Sequence, residues 1–177
     1  MCHGEGIMVS QDLIQMLKPA VKKGDFILAS GKRSSYYVDI KSVSTKPAVL
    51  KMIAQEMREL LEGTDIDKIA GVAVGGVPIA TALSLETGIP FLIIRKGKKK
   101  HGMKTNIEGE FMDGDKVVVV EDVTTTGGSV MEAVRAIRER GECDMVLVVV
   151  DRKEGAAELL KSNGVRLIPL VTAEELI

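Results

Sequence analysis

An α/β fold built on a parallel sheet is predicted by three features of the chain. From Asp67 onward, β-branched runs alternate with helical segments in a regular rhythm. The strand runs, such as VVVV at 117–120 and VLVVV at 146–150, are continuously apolar rather than alternating, as expected of strands covered by helices on both faces. The length of 177 residues suits one domain. Within 1–177 we expect a small N-terminal part, mainly 1–65, and a core over 66–177.

The elements follow in order. Residues 10–23 carry Leu13, Ile14, Leu17 and Val21 at helical spacing, with Ser10 as N-cap. Residues 26–41, FILASGKRSSYYVDIK, place short apolar pieces around a Ser-Gly turn and predict a hairpin. KPAVLKMIAQEMRELLEG is an amphipathic helix closed by Gly63. Then come strand KIAGVAV, helix VPIATALSLETG, strand PFLIIR, a polar segment and strand KVVVVED. Helix GGSVMEAVRAIRERG, strand DMVLVVVDR, helix AAELLKSNG and strand VRLIPLV complete the series.

Bulk properties exclude several functions. A net charge of −1 gives no global attraction to nucleic acid or to membranes, so any electrostatic role is local. No apolar run approaches the roughly 20 residues of a membrane helix. The N-terminus MCHGEGIMVSQ has no basic stretch followed by an apolar one, and a cytoplasmic protein is expected. Cys2 and Cys143 match no zinc or redox spacing and read as thiols in a reducing compartment.

In parallel sheets of this kind ligands bind beyond the C-terminal ends of the strands. Four such ends carry unusual chemistry. Thr125, Thr126, Gly127, Gly128 and Ser129 lie between a strand and a helix. There glycines turn backbone N–H groups inward, and the helix N-terminus favours an anion. Just upstream, Glu121 and Asp122 are acceptors suited to sugar hydroxyls. No lysine follows the glycines as it would in a Walker loop. The segment RKGKKKHG, 95–102, is basic enough to repel itself and reads as a lid over a polyanion, against the plainer reading of a solvated loop. The turn within GVAVGGVPIA offers backbone N–H groups for a second anion, or is simply a tight turn. Arg152, after VLVVVD, suits a planar carboxylate or amide, or pairs locally with Asp151 or Glu154.

Together these segments resemble one family. VVVVEDVTTTGGS is similar to the signature that binds phosphoribosyl pyrophosphate (PRPP) in type I phosphoribosyltransferases. RKGKKKHG resembles the R-K-x-x-K-x-H-G loop of orotate phosphoribosyltransferases, FILASGKRSSYYVD their hood segment, and VVVDRKE their late strand. The matches run in order over 26–154. The resemblance implies the type I phosphoribosyltransferase fold, with a central parallel sheet flanked by helices and an N-terminal hood. It implies Mg2+-dependent transfer of phosphoribosyl from PRPP to orotate, giving orotidine 5-monophosphate and pyrophosphate. Thr125, Thr126, Gly127, Gly128 and Ser129 would surround the 5-phosphate, Val123 and Thr124 would belong to the same PRPP site, and Glu121 and Asp122 would hold the ribose. Ala73, Val74, Gly75 and Gly76 would hold pyrophosphate, with a non-proline cis peptide at Ala73–Val74. Arg95, Lys96, Lys99 and His101 would close over it, Lys99 in the place of the catalytic lysine. The catalytic set would be Lys99, Asp122, Arg95 and His101. Orotate would meet Thr125, Arg152, Tyr36 and Tyr37. Mg2+ would be carried mainly by PRPP and water, with no direct side-chain ligand. The protein would be a homodimer in which the loop 95–102 completes the neighbouring site, with no nucleic-acid or membrane partner.

Two positions depart from the family's pattern. Ala29 and Gly75 stand where lysine is frequent, which removes cations from the substrate region. Lys32, Arg33, Lys98 and Lys100 are candidates to compensate. Two other readings share the fold: a phosphoribosyltransferase for another base, and a PRPP-binding regulator. The S-G-x-x-S-x-Y-Y pattern with Arg152 opposes the first, and the intact basic segment opposes the second.

Overall fold

A computed structural model of the chain describes residues 9–27, 31, 33–95 and 107–177. Helix α1 (Gln11–Leu17) is capped by the Ser10 hydroxyl, which accepts from the backbone N–H of Leu13 at 3.3 Å. The helix stops earlier than its apolar spacing predicts. Pro19 has no N–H to donate and its ring crowds the preceding turn, so the chain tightens into a 3-10 turn over Lys18–Ala20. Val21, expected on the helix, instead opens strand β1 (Val21–Ile27). β1 pairs antiparallel with β2 (Arg33–Val38), the predicted hairpin, in a register that sets Lys22 opposite Tyr37. A one-turn helix α2 (Lys41–Ser44), which no sequence pattern announces, leads into α3 (Pro47–Leu60). Gly63 lies beyond the α3 C-cap, Leu61, with φ of 73°.

The core then alternates as predicted. It comprises β3 (Lys68–Val72), α4 (Gly76–Thr87), β4 (Phe91–Ile94), β5 (Ile107–Glu108), β6 (Lys116–Thr124), α5 (Gly128–Arg138), β7 (Glu142–Asp151), α6 (Ala156–Ser162), β8 (Arg166–Thr172) and α7 (Ala173–Leu176). The strand order is β5-β4-β3-β6-β7-β8. The sheet is parallel except at one edge, where the two-residue strand β5 runs antiparallel to β4. That edge strand is added to the expected parallel sheet; two residues are too few to leave a periodicity in sequence.

Side chains on a strand alternate between the faces of the sheet. Val118 and Val120 of β6 accordingly join one core with Leu13 of α1, Ile53 of α3 and Ile79 of α4. Val117 and Val119 join a second with Val134 of α5 and Leu160 of α6. The alternation carries on to the acids that follow: Asp122 belongs to the face of Val120, and Glu121 to the face of Val119.

The topology fixes where a ligand can enter. After β3 the chain crosses to β4 on one side; after β6 it crosses to β7 on the other. The loops leaving these adjacent strands therefore diverge, opening a crevice at the switch point. Close packing beneath it needs glycine. A Cβ at Gly71 would come 2.7 Å from the Gly76 carbonyl oxygen, so a side chain there would lift α4 off the sheet.

Candidate functional site

Strand β6 carries both acids, as the KVVVVED reading expects, and runs two residues further to Thr124. Backbone pairing to β7 reaches Val123 and Thr124, so the acids stand on a fixed strand rather than on a loop. Asp122 Oδ1 accepts from the Val123 N–H at 2.9 Å, and Glu121 Oε1 accepts from the Asp122 N–H at 3.2 Å. Both acids are buried. Thr124 donates to Asp151 Oδ1 at 3.0 Å, tying the ends of β6 and β7 together.

Beyond Thr124 the chain turns through Thr125 and Thr126 to Gly127, the N-cap of α5, with φ of 82°. This left-handed conformation favours glycine. A Cβ there would also press on Ala156 at 3.0 Å. Ala156 in turn donates its N–H to the Thr125 carbonyl at 3.1 Å, which fixes the loop from behind. Thr126, Gly128 and Ser129 are exposed on the outer side. The first N–H groups of α5 lack intrahelical partners and, with the helix dipole, form a seat for an anion.

A cavity of about 370 Å³ opens here, lined by residues 121–130 together with Tyr37, Val38, Lys41 and Arg152. A larger cavity of about 700 Å³ lies at the opposite end of the sheet, beside Lys116 and Glu142 at the starts of β6 and β7. Size alone is a poor guide in this fold, because the strand ends that carry the acids and the glycine loop border the smaller space.

Arg152 is 7% exposed, and its surroundings explain how a buried guanidinium is tolerated. It donates to Ser34 Oγ at 3.0 Å and lies over the Tyr36 ring, 4.4 Å from its centroid. Its Nε is 2.9 Å from Glu154 Oε1, but the N–H is not aimed along that line, so the contact is an ion pair rather than a hydrogen bond. The local pairing with Glu154 thus exists alongside an orientation toward the cavity. β2 of the hood and the end of β7 together hold this side chain.

The turn 73–76 follows β3, and the Ala73–Val74 peptide is cis, as the resemblance implies. In the β3–β6 register Gly71 faces Val120, which brings the turn beside Asp122. A Cβ at Gly75 would overlap the Asp122 carboxylate. Arg95, at the end of β4, does not line the cavity; it is exposed and paired to Glu108 of β5 at 2.8 Å. Lys96, Lys99 and His101 lie outside the described residues, as do Lys98, Lys100, Ala29 and Lys32.

Sequence reasoning missed Lys41. Its Nζ is 3.4 Å from Asp122 Oδ2, across 81 positions of chain, and it lines the cavity. Burial acts to lower its pKa, but the opposing charges, Asp122 foremost, outweigh this and hold it above the ordinary lysine value. The one local oddity is a cation on the first residue of a helix, where the dipole disfavours it.

Comparison with known proteins agrees with this geometry. The phosphoribosyl transferase domain family matches residues 39–170. An orotate phosphoribosyltransferase of Methanocaldococcus jannaschii is 54% identical over 167 residues, spanning 93% of this chain and 94% of that protein. The crystal structure of orotate phosphoribosyltransferase from Aeropyrum pernix aligns at a TM-score of 0.82 with 36% identity, over 93% of this chain and 95% of that one. That of Mycobacterium tuberculosis in complex with PRPP aligns at 0.76 with 30% identity, over 94% and 90%.

Proposed function

The chain belongs to the orotate phosphoribosyltransferase family, and from that premise we propose that it transfers phosphoribosyl from PRPP to N1 of orotate, releasing orotidine 5-monophosphate and pyrophosphate in pyrimidine nucleotide synthesis. The observation that carries the reading is the cavity at the C-terminal ends of β6 and β7, which joins Asp122, the loop 125–129 and Arg152. Each part matches a part of the reactants. The α5 N-terminus and the hydroxyls of Thr125, Thr126 and Ser129 suit a phosphate, and Glu121 and Asp122 suit vicinal hydroxyls. The guanidinium over Tyr36 suits a flat anionic base.

In the reaction the C1–O bond to diphosphate breaks, the oxygen keeping the electron pair, while N1 of orotate, having lost its proton to water, supplies the pair that forms the new C1–N bond. Charge collects on the leaving diphosphate, so donors fixed near the turn 73–76 lower the barrier most. Asp122 and Glu121 orient the ribose, and Arg152 sets the plane of the base against its C1. The segment of Lys96, Lys99 and His101 supplies further cations to the diphosphate and excludes water.

The donor set also fits Mg2+. Among the described residues no three His, Cys, Asp or Glu side chains converge as a metal cage, and the consecutive carboxylates of Glu121 and Asp122, on opposite faces of β6, both border the cavity. Mg2+ keeps several waters and is commonly held by one or two carboxylates plus substrate phosphates. Asp122 and Glu121 would hold it through its water shell, and when bound it would neutralise diphosphate charge. We place the protein in the cytoplasm, where the free thiol of Cys143 is stable. We further propose a homodimer in which residues 95–102 of one protomer close the partner's cavity. Arg95 supports this, since it is paired at the sheet edge and not in its own cavity.

The test is direct. Orotate absorbance should fall when enzyme, PRPP and Mg2+ are combined, and adenine, hypoxanthine, guanine and uracil offered in parallel should not react. Turnover of a purine with no turnover of orotate would replace this function with the same chemistry on another base. PRPP binding with no turnover of any base would make the protein a regulator.

A further inference from the structure

The cavity has a charge problem. PRPP brings a monophosphate and a diphosphate to a wall that already holds Glu121 and Asp122. Among the described residues that line it, two are cations, Lys41 and Arg152. Arg152 is committed to Glu154, Ser34 and the Tyr36 ring. The 5-phosphate end is served by the α5 N-terminus. Beyond Asp122 lies the turn 73–76, which can present no side chain at Gly75, because a Cβ would overlap the Asp122 carboxylate. That same carboxylate is the partner of Lys41.

The Lys41 pair is loose. Its Nζ is 3.4 Å from Asp122 Oδ2 and 3.9 Å from Asp39 Oδ1, and half of its side chain is exposed. Neither distance is that of a tight charge-assisted hydrogen bond. An ammonium carries three donors and turns freely on its stem, so it can keep Asp122 within reach and still donate to a phosphate oxygen.

We propose that Lys41, delivered by α2 from the hood side, is a binding residue for the diphosphate of PRPP, set on the far side of the Asp122 carboxylate that fills the space beside Gly75. This rests on the reading above that the cavity takes PRPP. It assigns to α2 the role of bringing a hood cation to the core. It also assigns to Gly75 the role of letting the Asp122 carboxylate stand between that cation and the turn.

The experiment compares the wild type, Lys41→Gln and Lys41→Arg, with thermal melts to check that each is folded. Calorimetry measures the affinities of inorganic pyrophosphate and of ribose 5-phosphate in the presence of Mg2+, and kinetics give KM for PRPP and for orotate. Loss of a charge-assisted donor predicts that Lys41→Gln weakens pyrophosphate and raises KM for PRPP by about 10-fold to 100-fold. KM for orotate should stay within about twofold, as expected for a contact that shares no partner with Lys41, and ribose 5-phosphate, which reaches Lys41 only through Asp122, should weaken much less than pyrophosphate. Lys41→Arg should recover most of the loss. Equal weakening of pyrophosphate and ribose 5-phosphate would overturn the proposal, because Lys41 would then act only by positioning Asp122. So would an unchanged pyrophosphate affinity. If the wild type transfers to no base yet shows this dependence of pyrophosphate affinity on Lys41, the proposal stands and the assigned reaction fails.

Discussion

At Gly75 a methyl group would meet the Asp122 carboxylate, and this one contact couples the turn after β3 to the acid on β6. Gly75→Ala forces one of them to move, an overpacking that typically costs about 1–3 kcal/mol. Because small displacements of positioning groups can cost ~10² in rate, we expect kcat/KM for PRPP to fall by up to about a hundredfold. Steady-state kinetics and a melt on the same sample separate the two effects. At Cys143, burial pushes the thiol pKa up from 9.0 to about 11. The folded thiol should therefore resist a disulfide reagent at pH 8 and react fully in urea. The sign of the stability effect follows. The raised value favours the folded state fully below pH 9, and that contribution is lost as pH climbs toward about 11, since the unfolded thiol ionises first. At this scale the site was legible wherever chemistry was concentrated in one stretch, as at 121–129. Lys41 was not, because its meaning comes from a partner 81 positions away.

Among the elements, the strands were the most legible. Runs of valine buried on both faces leave few alternatives, and the helices between them have clear caps, as with Gly88 after α4. The failures have identifiable causes. The apolar spacing of Leu13, Leu17 and Val21 continues past a proline that the helix cannot accommodate. β6 runs two residues past the KVVVVED reading, to Thr124, and keeps its acids inside the sheet, where their carboxylates find backbone N–H donors. The one-turn helices α2 and α7 are too short for periodicity. α7 instead rests on a capping box, in which the Glu175 carboxylate accepts from the Thr172 N–H at 2.7 Å. Thr172→Ala removes the reciprocal half of that box and should cost about 1 kcal/mol. A denaturant titration should show a lower midpoint with an unchanged slope, and orotate turnover should be unaffected, since Thr172 does not line the cavity.

At the scale of the molecule, the order of strands was not legible, since the pattern of a buried parallel strand does not say which neighbour it takes. Yet that order creates the crevice, by sending the chain opposite ways after β3 and β6. A dimer that shares its sites makes a quantitative prediction. Lys99→Ala should lower turnover by about 10²–10³ with the fold intact, as removal of one electrostatic donor does, and Asp122→Asn should be impaired through the ribose. Mixed and allowed to exchange, the two variants should regain up to about a quarter of wild-type activity, because half the dimers would be hybrids with one intact site. No recovery, with exchange demonstrated, would place both residues in the same protomer's site. The claim beneath all of this is that one PRPP molecule spans the switch point, and crystals of the protein grown with PRPP and Mg2+ test it most directly. The account predicts density with the 5-phosphate on the backbone of 125–129, the ribose hydroxyls on Asp122, and the diphosphate between the turn 73–76 and Lys41. Density for the 5-phosphate at the opposite end of the sheet, beside Arg138 and Arg166 in the larger cavity, would contradict it.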